Sequence, residues 1–364
     1  MITCFIVSEN GLLFNLRILY CFTAFVKYNQ DVKNIIVWIE YCCLTERIKN
    51  TMTTEFQKKI LRPYGKWLDI ILLAWVLTFI LMTAGEVLGH QILKIPAADS
   101  ALDSLTGDAD TTAFLNMYLD FFGIWIISLA IFFCYRPDRP MFKAIGHNRR
   151  GNTLRMGLLG LLIGFGLNGL CILLSVISGD IKLTFQGMDP LLLAVFLAAV
   201  LIQSSGEELV NRCFLYQKLR RRYRHPAVAI LGNSLLFGIL HMTNPGASLG
   251  ALLQVMIAGL LFSLVIYYYG SFWAACGFHT GWNFTQSILF GLPNSGYVSN
   301  ASVFRLDAAS ATDGPFYTVG FGVESSPGAI ILMGILCVVV IVIGRRMNQR
   351  EDLWREASRA YETV

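Results

Sequence analysis

Runs of about twenty residues almost free of charge recur along this chain from Trp67 onward, separated by short polar stretches. A helix rises about 1.5 Å per residue, so each such run is long enough to cross about 30 Å of hydrocarbon. Inside a bilayer no water is at hand for the backbone, and only helices or closed barrels satisfy it internally. The alternating apolar-polar pattern of a barrel is not visible, so the sequence reads as an all-α, polytopic transmembrane bundle of about eight helices. The predicted spans are 67–88, 114–134, 154–178, 191–216, 227–241, 249–269, 272–290 and 329–343, the fifth and eighth being short.

Composition supports a lipid environment. Of 364 residues 55% are hydrophobic and 15% charged, and mean hydropathy is +0.57, where a soluble domain would carry about a quarter charged residues. The net charge of +5 is clustered between spans, which points to membrane topology and away from nucleic acid. Nine cysteines show no metal-binding spacing. Cys134, Cys171, Cys213, Cys276 and Cys337 fall in apolar runs and read as small hydrophobes, without a disulfide framework.

Basic residues follow the second, fourth and last spans, whereas the stretch 96–112 carries Asp99, Asp103, Asp108 and Asp110 and no Lys or Arg. By the positive-inside rule both ends of the bundle are cytoplasmic, and short loops suggest a bacterial plasma membrane. The run from Lys218 to Arg224 reads as a topology anchor touching anionic lipid. Residues 1–51 hold only short apolar stretches, and Met52 opens a segment that leads into a strong span. The expected organisation is a poorly structured or spurious extension over 1–51, a bundle over 52–350 with its motif core at 191–290, and a cytoplasmic tail over 351–364.

Ionisable groups in hydrocarbon cost several kcal/mol, so those within the spans are functional candidates. They are Glu207, Glu208 and Arg212 in the fourth span, His241 ending the fifth, and His279 with Asn283 in the seventh. From the helical rise, Glu207, His241, His279 and Asn283 lie about 16, 22, 12 and 18 Å from one membrane boundary, so three helices can bring them to one level. Glu208 and Arg212 are spaced for an ion pair within one helix. His279 and Asn283 share a face, and Phe237 stands one turn before His241, where its ring could wall a site. Glu86 and Asp120 also lie in apolar surroundings and read as structural. Gly157, Gly160, Gly164, Gly166 and Gly169 suit close helix packing.

The three motifs in order, Glu207-Glu208-Leu-Val-Asn-Arg212, Phe237-Gly-Ile-Leu-His241 and His279-Thr-Gly-Trp-Asn283, resemble the CAAX prenyl protease and bacteriocin-processing family of intramembrane proteases. That resemblance implies a peptidase in which Glu207 and His241 hold and activate water while His279 and Asn283 stabilise the oxyanion. Glu208 would pair with Arg212, although the two glutamates could exchange roles. No cofactor is favoured. A zinc version would use Glu207, His241 and His279, against which stands the lack of an H-E-x-x-H helix. The implied partners are the lipid bilayer and a membrane peptide, prenylated peptide or leader peptide. A non-catalytic scaffold or immunity protein of the same family, and a transporter using buried charge, are the alternatives.

Overall fold

The computed structural model describes residues 60–149, 151–298, 301–347 and 352–355, so readings on residues 1–51 lie outside the described residues. The chain divides into Met1–Lys59 and Ile60–Val364, and the second unit is treated below. Its apolar runs fold as helices: α1 (Ile71–Leu93), α2 (Ala109–Cys134, turned at Asp120 and Phe121), α3 (Leu154–Ser178), α4 (Pro190–Arg222), α5 (Pro226–His241), α6 (Leu249–Tyr269), α7 (Phe272–Asn283) and α8 (Pro327–Arg346). Six of these are long and apolar enough to cross a membrane, α5 and α7 being shorter. The protein is an integral membrane protein, mostly helical. The last segment, short in the sequence reading, is a 20-residue helix because Pro327 starts it and its apolar run reaches Arg345.

Local signals set the helix ends. Thr153, Asp189, Ser248, Ser271 and Ser326 each accept a backbone N–H in the first turn that follows. Pro190, Pro226 and Pro327 occupy first helical positions, where their missing N–H costs nothing. Gly270, at φ 59°, turns the chain from α6 into α7. The acidic stretch after α1 is helical over Pro96–Thr106, with proline at its start and Gly107 closing it in the left-handed region.

Outward faces are apolar, with Leu72, Val76 and Phe79 exposed on α1 and Leu162, Leu173 and Ile177 on α3. Much of the interior is polar. This inversion suits lipid as solvent, where burying apolar groups gains little and interhelical hydrogen bonds matter more. The most extensive helix–helix contact joins α3 to α7. A Cβ at Gly160 would lie 2.2 Å from the Ala274 carbonyl oxygen and one at Gly164 2.1 Å from that of Phe278. From the other side, Cβ atoms at Gly277 and Gly281 would lie 2.1 and 2.2 Å from the carbonyl oxygens of Gly157 and Leu161. Gly166 faces open space and Gly169 meets only a methyl at 4.0 Å, so the packing reading fails for these two, which lie off the contact face.

Two further expectations need correction. A two-stranded antiparallel ribbon, β1 (Leu183–Phe185) with β2 (Phe304–Leu306), pairs Leu183 with Leu306 beyond the helix ends; three-residue strands leave no periodic signal. In the basic run that ends α4 and reaches Arg224, three residues do not face lipid, although Arg224 is exposed. Lys218, Arg220 and Arg221 are buried, because acidic partners arrive from distant segments. Arg221 makes a paired contact with Asp69, both bonds 2.6 Å, and lies 2.8 Å from Asp138, which also holds Lys218 at 3.0 Å. Asp352 receives Arg62 at 2.6 Å and Arg220 at 3.0 Å, while the buried Trp354 ring lies 4.9 Å from Arg221.

Candidate active site

Glu207 and Glu208 end the first α-helical part of α4, and the next seven residues, Leu209–Leu215, form π-helical turns before regular helix resumes at Tyr216. Asn283 likewise ends α7 before the π-helical Phe284–Leu289. Such widened turns shift the side-chain phase of a helix and gather at functional sites. Here both follow immediately on the residues singled out by sequence.

Glu208 is fully buried and has two partners. Arg212 Nη1 donates to its Oε1 at 3.2 Å and Arg212 Nε lies 3.1 Å from Oε2, as the spacing predicts. The second partner is on α7: His279 Nδ1 lies 3.0 Å from Glu208 Oε1. A carboxylate only accepts, so Nδ1 carries the hydrogen and Nε2 points elsewhere. That Nε2 lies 4.0 Å from Glu207 Oε2. Arg212 is clamped between aromatic faces, 4.4 Å from the Phe237 centroid and 5.0 Å from that of Phe262. Phe262 also stacks on His279 at 5.5 Å.

Phe237 packs edge-on against His241 at 4.8 Å and against His279 at 6.2 Å. Its carbonyl also fixes the His241 ring, 2.8 Å from Nδ1. Because a carbonyl only accepts, His241 Nδ1 is the donor, and in the neutral ring Nε2 keeps a lone pair. Glu207 acts electrostatically on both imidazoles, and its Oε2 is buried without a hydrogen-bond partner. Its Oε1 accepts from Gln203 at 2.6 Å. Gln203 Oε1 in turn accepts from Asn283 Nδ2 at 3.2 Å.

His241, His279, Asn283 and Phe237 line a cavity of about 30 Å³, room for a water molecule, with Phe262, Phe278 and Met333 also in its wall. Glu207 borders His279 and is not among its lining residues. Glu324 and Ser295 are, and the sequence reading missed both. Gln203 was also missed, although an amide one turn before Glu207 in an apolar run is a signal of the same kind. Glu86 shares the neighbourhood of Glu207, and Asp120 lies 3.3 Å from His90. Among the described residues no three His, Cys, Asp or Glu side chains are gathered in a metal-binding arrangement.

The segment that carries these motifs matches the family model described as type II CAAX prenyl endopeptidase Rce1-like, over residues 189–285. The chain carries an Rce1-like segment. That segment holds all three motifs together with Gln203, and it ends before Ser295 and Glu324. The uncharacterized protein YyaK of Bacillus subtilis (strain 168) is 34% identical over 132 residues, which cover 35% of this chain and 44% of that protein. The match thus spans less than half the length of that curated relative. No solved structure matches.

Proposed function

We propose that the protein is an intramembrane endopeptidase that hydrolyses peptide bonds of membrane-embedded or lipid-modified substrates with a water activated by Glu207 and His241. The observation that carries this reading is His279, whose two ring nitrogens face the carboxylates of Glu208 and Glu207 beside a water-sized cavity. A ring so flanked can hold a hydrogen on each nitrogen. With Arg212 opposite Glu208, two anions and two cations then leave the buried cluster neutral.

The chemistry follows from those positions. Water held by the lone pair of His241 Nε2 and the unpartnered Glu207 Oε2 loses a proton to Glu207 as its oxygen attacks the scissile carbonyl carbon. The carbonyl oxygen becomes an oxyanion and accepts from His279 Nε2–H and from the Asn283 Nδ2 hydrogen not used by Gln203. The tetrahedral species collapses, the C–N bond breaks, and the proton on Glu207 passes to the departing amine. Glu208 and Arg212 hold His279 in place, and Phe237 orients His241 through its carbonyl.

The resemblance to CAAX prenyl endopeptidases supports a prenylated or otherwise membrane-bound peptide as substrate. The test is a comparison of membrane proteomes from cells bearing the wild type and Glu207→Ala. A membrane peptide that accumulates only with the variant identifies the substrate, whereas identical peptide profiles argue for a non-catalytic member.

A further inference from the structure

Asn283 is held at both ends of its amide. Its Nδ2 donates to Gln203, and its Oδ1 accepts from Asn294 Nδ2 at 3.1 Å. Asn294 is a buried residue of the loop after α7, outside the Rce1-like segment, and the same Nδ2 lies 3.3 Å from Glu324 Oε1. The other carboxylate oxygen of Glu324 accepts the Ser295 backbone N–H at 2.6 Å. Gln286, in the π-helical turns, anchors this loop by donating to the Pro293 carbonyl.

The result is one continuous chain from Glu207 through Gln203, Asn283 and Asn294 to Glu324, with Asn294 donating toward both ends. A carboxylate at each end accepts only, and this dictates the orientation of every amide between them. We propose that Glu324 is a positioning residue for the reaction assigned above: through Asn294 it fixes the amide of Asn283 with its nitrogen toward the oxyanion. The inference rests on the peptidase reading for its function and on geometry alone for the relay.

Glu324 must be ionised to do this. Asn294 donates to one of its oxygens and the Ser295 N–H to the other, with the Trp282 side chain also favouring the charged form, and an acidic O–H or a glutamine amide would turn a hydrogen toward one of these donors. Glu324 belongs to the loop before α8, and burial pushes its carboxyl up to about 7, against the pull of the Ser295 N–H and the charge of His279. Glu207 pushes in the same direction as burial, and His241 lines the same cavity. The relay is therefore complete above neutral pH and loosens below it.

Two readouts test this on the full chain in lipid nanodiscs. With asparagine side chains labelled with nitrogen-15, the Asn283 amide resonance of the wild type should titrate near neutral pH, and Glu324→Gln should abolish that titration. With the peptide that the wild type cleaves, Glu324→Gln and Asn294→Ala should each lower kcat roughly tenfold or more while KM stays within about twofold, as expected for loss of a charged hydrogen bond felt in the transition state. An Asn283 resonance indifferent to pH in the wild type overturns the relay. Full kcat in a folded Glu324→Gln overturns the positioning role. A wild type that cleaves nothing removes the peptidase reading, and the resonance titration then decides the relay alone.

Discussion

Glu208 Oε1 lies 3.0 Å from Nδ1 of His279, joining residues 71 positions apart on two helices that each widen into π-helical turns beside the site. One buried carboxylate thus serves both the Arg212 guanidinium and an imidazole. It is an electrostatic keystone, and several consequences can be measured.

Removing Arg212 leaves Glu208 buried with half its compensation. Arg212→Ala should destabilise the protein by about 3–5 kcal/mol, the usual result of orphaning one partner of a buried pair. The check is thermal unfolding in detergent together with abundance in the membrane. Arg212→Lys should recover little, since an ammonium reproduces neither the two-point contact nor the stacking against Phe237 and Phe262.

The α3–α7 contact makes a graded prediction. Gly281→Ala places a methyl 2.2 Å from a backbone oxygen, and separating the helices should cost about 1–3 kcal/mol and displace His279 and Asn283. Gly166→Ala, facing open space on α3, should leave melting temperature and activity unchanged. Equal effects from the two substitutions would contradict the packing described here.

At the basic end, burial opposes ionisation of Asp352, but the Arg62 hydrogen bond and the charges of Arg220 and Arg62 outweigh it and hold the carboxyl below its ordinary range. A carboxyl depressed by folding contributes stability that is present above its unfolded value, about 3.9, and is lost as pH falls through the folded value. The wild type should therefore melt above Asp352→Asn at pH 6–7, and the gap should close as the pH drops below about 4. A gap that persists in acid would show that the tail contact does not depend on this charge.

Much of the site was legible because charge stands out against hydrocarbon. Glu207, Glu208, Arg212, His241 and His279 are conspicuous in apolar runs, and helical spacing alone gave the Glu208–Arg212 pair. The second role of Glu208 was hidden, since nothing in one helix announces a partner 71 residues away. Asn294, Ser295 and Glu324 were invisible for the opposite reason. They sit in polar connections where another Asn, Ser or Glu carries no contrast, and only the folded loops bring them to the cavity. The burial of Lys218, Arg220 and Arg221 was hidden for a related cause: their acidic partners Asp69, Asp138 and Asp352 are scattered over nearly 300 residues.

Everything in the proposed reaction turns on Glu207 activating the water beside His241 and His279. The most direct test of that role uses purified, zinc-assayed protein in nanodiscs with the peptide recovered from the proteome comparison, reading cleavage by wild type and by Glu207→Ala of equal melting temperature. The wild type should cleave without stoichiometric zinc, and the variant should show no cleavage above background. Undiminished cleavage by Glu207→Ala would contradict that role.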